Sequence, residues 1–201
     1  MNIERLITAT RKRTRNARRT PSKLNSKRLF TDKKPHLKTK KQRPRQTMNK
    51  PTILELENLI KQHPDIAALG SPADAVSDDW LVKAEEKICH KLPASYKWFL
   101  LNYAGGEVGT EEIYSIYGMN FEDINGGDIV FQHINGLKYK STTAKKVVIS
   151  ETDFGEVFFF DYDTYNGEEC QIFVRIPSGK NLLYANNFYE FLVKRIKAYL
   201  P

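Results

Sequence analysis

An α+β fold, with an antiparallel sheet covered by helices, is what the order of periodicities along this sequence predicts. Three observations carry the expectation. Apolar residues recur at helical spacing up to about residue 103; short extended runs separated by turn residues fill the stretch from about 112 to 176; helical spacing returns at Asn187. A break in charge at residue 48 separates this domain from the segment before it.

The elements follow in order. Thr52 with Glu55 forms a capping box, and Ile53, Leu56, Leu59 and Ile60 give a first helix that Pro64 ends near His63. The stretch LGSPADAV reads as a loop. Ser77 is placed to cap a second helix, with Asp78 and Asp79 in its first turn and an apolar stripe of Leu81, Ala84, Ile88 and Leu92. Pro93 suits the first turn of a third helix, because its missing N–H is unpaired there in any case. Tyr96, Phe99, Leu100 and Tyr103 share one face of that helix, Trp98 and Leu101 widen it, and Gly105 or Gly106 supplies the left-handed stop. EEIYSIYG is a strand, and GGDIVF is a short apolar strand or a helix-like insert. KKVVIS, EVFFFDY and ECQIFVRI are strands, with Asn166–Gly167 as a type I′ hairpin signal between the last two. Asn187 and Glu190 open a closing helix lined by Phe188, Phe191, Leu192 and Ile196.

Net charge of +8 over 201 residues describes neither part of the chain. Residues 1–47 hold 17 Lys+Arg against 2 Asp+Glu, a net of +15, which leaves 15 against 22, a net of −7, for residues 48–201. The first segment has too few apolar side chains to offset chain entropy and is expected to be a disordered basic tail. Its RKRTRNARR run could bind phosphates by counterion release, and its Arg-, Ser- and Thr-rich composition is also that of a presequence. Met48 reads as a natural initiation site, which would leave 1–47 outside the native product. The competing expectation is a functional basic arm, in which case nucleic acid becomes a partner. No apolar run approaches the ~18 residues of a membrane span, so no membrane partner is expected.

Specific chemistry is not signalled. Cys89 and Cys170 form no CxxC, read as small buried hydrophobes and fit a reducing cytoplasm. His36, His63, His90 and His133 lack metal-ligand spacing, and no nucleophile elbow, phosphate loop or dinucleotide fingerprint occurs. The expectation is a non-enzyme without cofactor or metal. DYDTYNGEE fails as a calcium loop, because Tyr165 takes the third ligand position and Asn166 the place of the turn glycine. Asp153, Glu156, Asp161 and Asp163 could pair as hydrolase carboxylates, but a solvated acidic face is favoured. Trp80 and Trp98 read as packing residues. Glu107, Glu111, Glu112, Glu122, Asp123, Asp128, Glu151, Asp153, Glu156, Asp161 and Asp163 cluster after the aromatic helix. Such acidity repels nucleic acid and speeds encounter with a basic protein, of which a nuclease is the obvious kind.

The segments AEEKICHKLPASYKWFLLNYAGGEVGTEEIYSIYG and VVISETDFGEVFFFDY resemble the SUKH superfamily, the Smi/Knr-type domain. The shared pattern falls on Glu85, Leu92, Pro93, Tyr96, Phe99, Leu100, Gly105, Gly106, Gly155, Phe158 or Phe159, and Asp161, within roughly residues 75–200. The resemblance implies a bacterial immunity protein that binds and neutralises a cognate polymorphic toxin, often a nuclease. Fungal relatives regulate cell-wall synthesis, so the domain is a protein-binding module with no catalytic residues to carry over. The expected contact face is Glu107, Glu111, Glu112, Asp153, Glu156 and Asp161, with Tyr114 and Tyr117 as aromatic anchors. The aromatic helix is expected to be core, its Gly-Gly end shaping a neighbouring binding loop.

Overall fold

The computed structural model describes residues 53–201. The basic segment 1–47, the boundary at Met48 and the Thr52 cap lie outside the described residues. The rest is an α+β fold with five helices and two antiparallel sheets, as the periodicities predict.

Helix α1 (Ile53–Gln62) leads into strand β1 (Ala67–Leu69), followed by α2 (Asp78–Ile88) and α3 (Ala94–Tyr103). Strands β2 (Gly106–Val108) and β3 (Glu111–Ile113) complete the first sheet, in the order β1-β2-β3. Helix α4 (Ile129–Lys138) precedes a meander of β4 (Lys146–Glu151), β5 (Val157–Asp161), β6 (Ile172–Arg175) and β7 (Asn181–Ala185), and α5 (Phe188–Ala198) closes the domain. The two sheets are tied together where β3 passes β4. The Tyr114 N–H donates to the Ile149 carbonyl at 2.8 Å, and the Ser150 hydroxyl donates to the Glu112 carbonyl at 2.8 Å.

Alternation along β5 decides the layers. Successive side chains point to opposite faces, so Phe158 and Phe160 meet α3 and α5 while Phe159 faces the other way and stacks on Phe173. Tyr96 is the centre of the inner layer. It is fully buried, its ring lies 4.8 Å from Phe188 and 5.3 Å from Phe160, and its hydroxyl donates to the Tyr114 carbonyl at 2.6 Å. The aromatic helix is therefore core. Leu101 differs from the expectation: it is 40 % exposed, on the far side of α3 from Tyr96.

Glu85 explains why α2 and α3 join as they do. Its buried carboxylate accepts from the Leu92 N–H at 3.0 Å and pairs with Lys91 at 2.6 Å and Lys97 at 2.5 Å. A second buried carboxylate, Glu111, accepts from Arg195 Nε at 2.8 Å and the Tyr199 hydroxyl at 2.9 Å, pinning α5 to β3. A third, Asp128, caps α4 through the Val130 and Phe131 N–H groups, each at 3.0 Å, and holds the Tyr117 N–H at 3.0 Å.

Several local expectations are corrected. Of the two readings of GGDIVF, the helical one holds and the strand does not: the segment opens a full helix that the Asp128 side chain caps. LGSPADAV contains the end of β1 and a short 3-10 turn, Pro72–Asp74. Ser77 is the cap residue of α2 by position but makes no side-chain cap bond. The positive-φ stop of α3 falls on Ala104 (φ 59°, ψ −34°), ahead of the two glycines, where the Gly105 N–H donates to the Tyr103 carbonyl at 2.6 Å as in a γ-turn. Gly106 is required for a different reason: a Cβ there would lie 2.4 Å from the Ala68 carbonyl oxygen, at φ 133°. Between β5 and β6 the positive φ belongs to Gly167 rather than Asn166. The two strands are joined by residues 162–171, which include the 3-10 turn Tyr162–Thr164, so the expected two-residue type I′ hairpin is not formed. At α5 the Asn187 side chain accepts from the Glu190 N–H at 2.9 Å, while Glu190 reaches back to Asn186 instead of Asn187. Cys170 is buried, and burial raises its thiol pKa to about 12; Cys89 is exposed, at the left-handed cap of α2.

Candidate functional site

The acidic positions divide into two groups once the strands are in register. Glu107 and Glu112 stand directly opposite each other in β2 and β3, both exposed. Like charges so placed destabilise a sheet. Among the described residues Glu112 has no cation partner; its carboxylate accepts from the Tyr117 hydroxyl at 2.7 Å. That hydroxyl in turn accepts from the Gly127 N–H at 2.9 Å, and burial together with the Glu112 contact raises its pKa to about 12. Across the junction of the sheets the strip continues through exposed Glu151 to the β4–β5 hairpin, where Asp153 is exposed. Glu151 and Glu112 both lie close enough to Tyr114 to disfavour its ionisation beyond the effect of burial.

The hairpin tip has a defined geometry. The Gly155 N–H donates to the Thr152 carbonyl at 2.9 Å, the Thr152 N–H to the Glu156 carbonyl at 2.9 Å, and Gly155 sits at φ 80°. This is a three-residue loop, a β-turn followed by a left-handed glycine. It holds Phe154 out in solvent, 85 % exposed, between Asp153 and Glu156. Sequence reasoning missed Phe154. The available signal was a large apolar residue inside an acidic turn.

Beside the strip, the Gly-Gly end of α3 forms one wall of an open groove of 380 Å³, lined by Gly70, Asp74, Tyr103, Gly105, Ser115 and Tyr117, among others. Tyr117, 40 % exposed, joins groove and strip.

Other expected contact residues are placed elsewhere. Glu111 and Tyr114 are buried, the first engaged by Arg195 and the second packed in the core, so neither side chain can reach a partner. Glu156 is half-buried at the base of the hairpin. Asp161 closes the opposite end of β5, about 16 Å along the strand from Glu156, where it caps the following 3-10 turn. Asp163 pairs with Lys145. The four carboxylates Asp153, Glu156, Asp161 and Asp163 therefore do not converge as an acid–base pair would. Among the described residues no group of three or more His, Cys, Asp and Glu side chains is placed to hold a metal, and no helix is long and apolar enough to cross a membrane.

A family model described as SUKH_6, SMI1-KNR4 cell-wall, matches residues 78–192, from the start of α2 into α5. No curated protein matches the chain. The matched span contains the Glu85 junction, the Tyr96 core helix, the Gly-Gly turn and the β4–β5 hairpin. On that match, which covers more than half of its length, the chain belongs to the SMI1-KNR4, or SUKH, family.

Proposed function

We propose that the chain is an immunity-type protein, which binds and neutralises a cognate toxin by covering it with the acidic strip. The observation that carries this reading is the pair Glu107–Glu112, without a cation partner among the described residues, continued through Glu151 to Asp153 and ending at the exposed ring of Phe154. Charge without internal partners costs stability in the free domain and is compensated when a cationic surface covers it. A rigid aromatic side chain on a preorganised loop is the form that interface anchors take. The partner that fits is a basic domain, and a nuclease with its phosphate-binding cleft is such a domain. Membership of the SUKH family supports a protein-binding role over catalysis. The setting is the cytoplasm, where an incoming nuclease must be met.

Co-expression tests the reading. The full chain should rescue growth of cells producing its cognate toxic domain and should co-purify with it. Folded proteins that give neither rescue nor a complex would remove this pairing.

A further inference from the structure

Phe154 is the most exposed large apolar side chain among the described residues. Its neighbours in the turn, Glu151 and Asp153, are exposed carboxylates, and residues 151–156 contain no cation. On α2 the same domain carries a feature of complementary form: a groove of 330 Å³ lined by Trp80, Lys83, Glu86, Lys87, Asn120 and Phe121. Trp80 and Phe121 meet edge to face, their centroids 5.6 Å apart. Lys83 Nζ lies 4.3 Å from the centre of the Trp80 ring. Neither Lys83 nor Lys87 has a carboxylate in ion-pair range among the described residues.

We propose that this groove receives the Phe154 tip of a second copy of the chain, with Glu151 and Asp153 meeting Lys83 and Lys87. Size permits it, since a cavity of about 150 Å³ already accepts benzene. Sign favours it: the tip is purely acidic, and the groove has two lysines against one glutamate. The tip does not occupy the groove of its own domain, because Phe154 is in solvent. Only another molecule can bring the two surfaces together.

Tip and groove are different surfaces, so the contact is head to tail. A pair keeps one free tip, on one copy, and one free groove, on the other, and association continues until a ring closes or a chain grows. The contact is small and therefore weak, with a dissociation constant on the order of 10⁻⁴ M. It stands whether or not the tip also meets a toxin. Where it does, the two occupants exclude each other.

Sedimentation velocity of the full chain tests this. The wild-type mass should rise with concentration. Phe154→Ala, which lacks the tip, and Lys83→Glu/Lys87→Glu, which lacks the basic rim, should each associate about tenfold or more weakly. All substituted side chains are exposed, and unchanged melting curves would show that both variants fold. Mixing the two variants should restore a 1:1 complex that grows no further, since one supplies the groove and the other the tip. A wild-type chain that stays monomeric up to about 1 mM would overturn the proposal. So would variants that associate like the wild type, or a mixture that forms no complex.

Discussion

Replacing Glu85 by alanine tests the junction that sets α3 against the sheet. The carboxylate is buried, and its removal leaves the Leu92 N–H without an acceptor inside the domain. An orphaned buried donor costs about 1–3 kcal/mol. Two ion pairs go as well. Lys91 is largely exposed and contributes little, while Lys97, 36 % accessible in its side chain, adds up to about 1 kcal/mol. The expected loss is about 2–3 kcal/mol, or roughly 4–12 °C in thermal midpoint for a domain of this size. Glu85→Gln keeps an acceptor for Leu92 but faces two ammonium groups with an amide, and should lose about 1 kcal/mol. Differential scanning calorimetry or urea titration reads both. Burial raises the Glu85 pKa, but hydrogen bonds from Lys91, Lys97 and Leu92 together outweigh it and hold the carboxyl below its ordinary value. A depressed folded pKa means stability that is full above the unfolded value, near 4.5, and lost as pH falls through the folded one. The gap between wild type and Glu85→Gln should therefore close in acid. An alanine variant no less stable than the glutamine variant, or a gap that persists at low pH, would refute the reasoning.

Other perturbations follow from single contacts. Gly106→Ala forces a Cβ to 2.4 Å from the backbone oxygen of Ala68, which cannot yield as a side chain could, and should destabilise by more than about 2 kcal/mol in chemical unfolding. Tyr96→Phe removes the donor to the Tyr114 carbonyl, and a loss of about 1–2 kcal/mol is expected by the same measurement. His133 is buried, with Nδ1 unpartnered; burial lowers its pKa, with His90 adding to the effect. The unfolded chain takes up a proton first, so stability is full above pH 6.5 and falls as pH drops below it. His133→Leu should flatten that slope between about pH 7 and pH 5, and an unchanged slope would show that other groups carry it. Deletion of residues 1–47 should leave the thermal midpoint of the remainder and its capture of a basic partner unchanged, whereas loss of capture would assign binding to the basic segment.

Legibility in the sequence tracked element length and buried chemistry. Helices α2, α3 and α5 have enough turns for apolar spacing to show, and β4 and β5 are apolar runs between turn residues. Strands β1 and β2 have three residues each, too few for any period. Strand β7 hides because its exposed end carries two adjacent leucines, Leu182 and Leu183, and so does not alternate. Helix α4 hides because its cap, Asp128, reads as one more surface acid while being fully buried. The contact face suffered from the same ambiguity. Glu111 and Glu112 are adjacent in a three-residue strand whose neighbours point to opposite faces, so one is buried beside Arg195 and the other faces solvent. Composition cannot separate them; only register can. Phe154 was passed over because an apolar residue in a turn carries no periodic signal.

A binding role for the acidic strip can be measured on the strip itself. Calorimetric titration of a candidate basic toxin domain with the full chain and with Glu112→Lys/Asp153→Lys tests this. Both substituted positions are exposed, so the fold should be kept. Tight, salt-sensitive binding by the wild type and a loss of about a hundredfold or more in the variant are expected. Equal binding by the two proteins would contradict it and place the contact elsewhere on the domain.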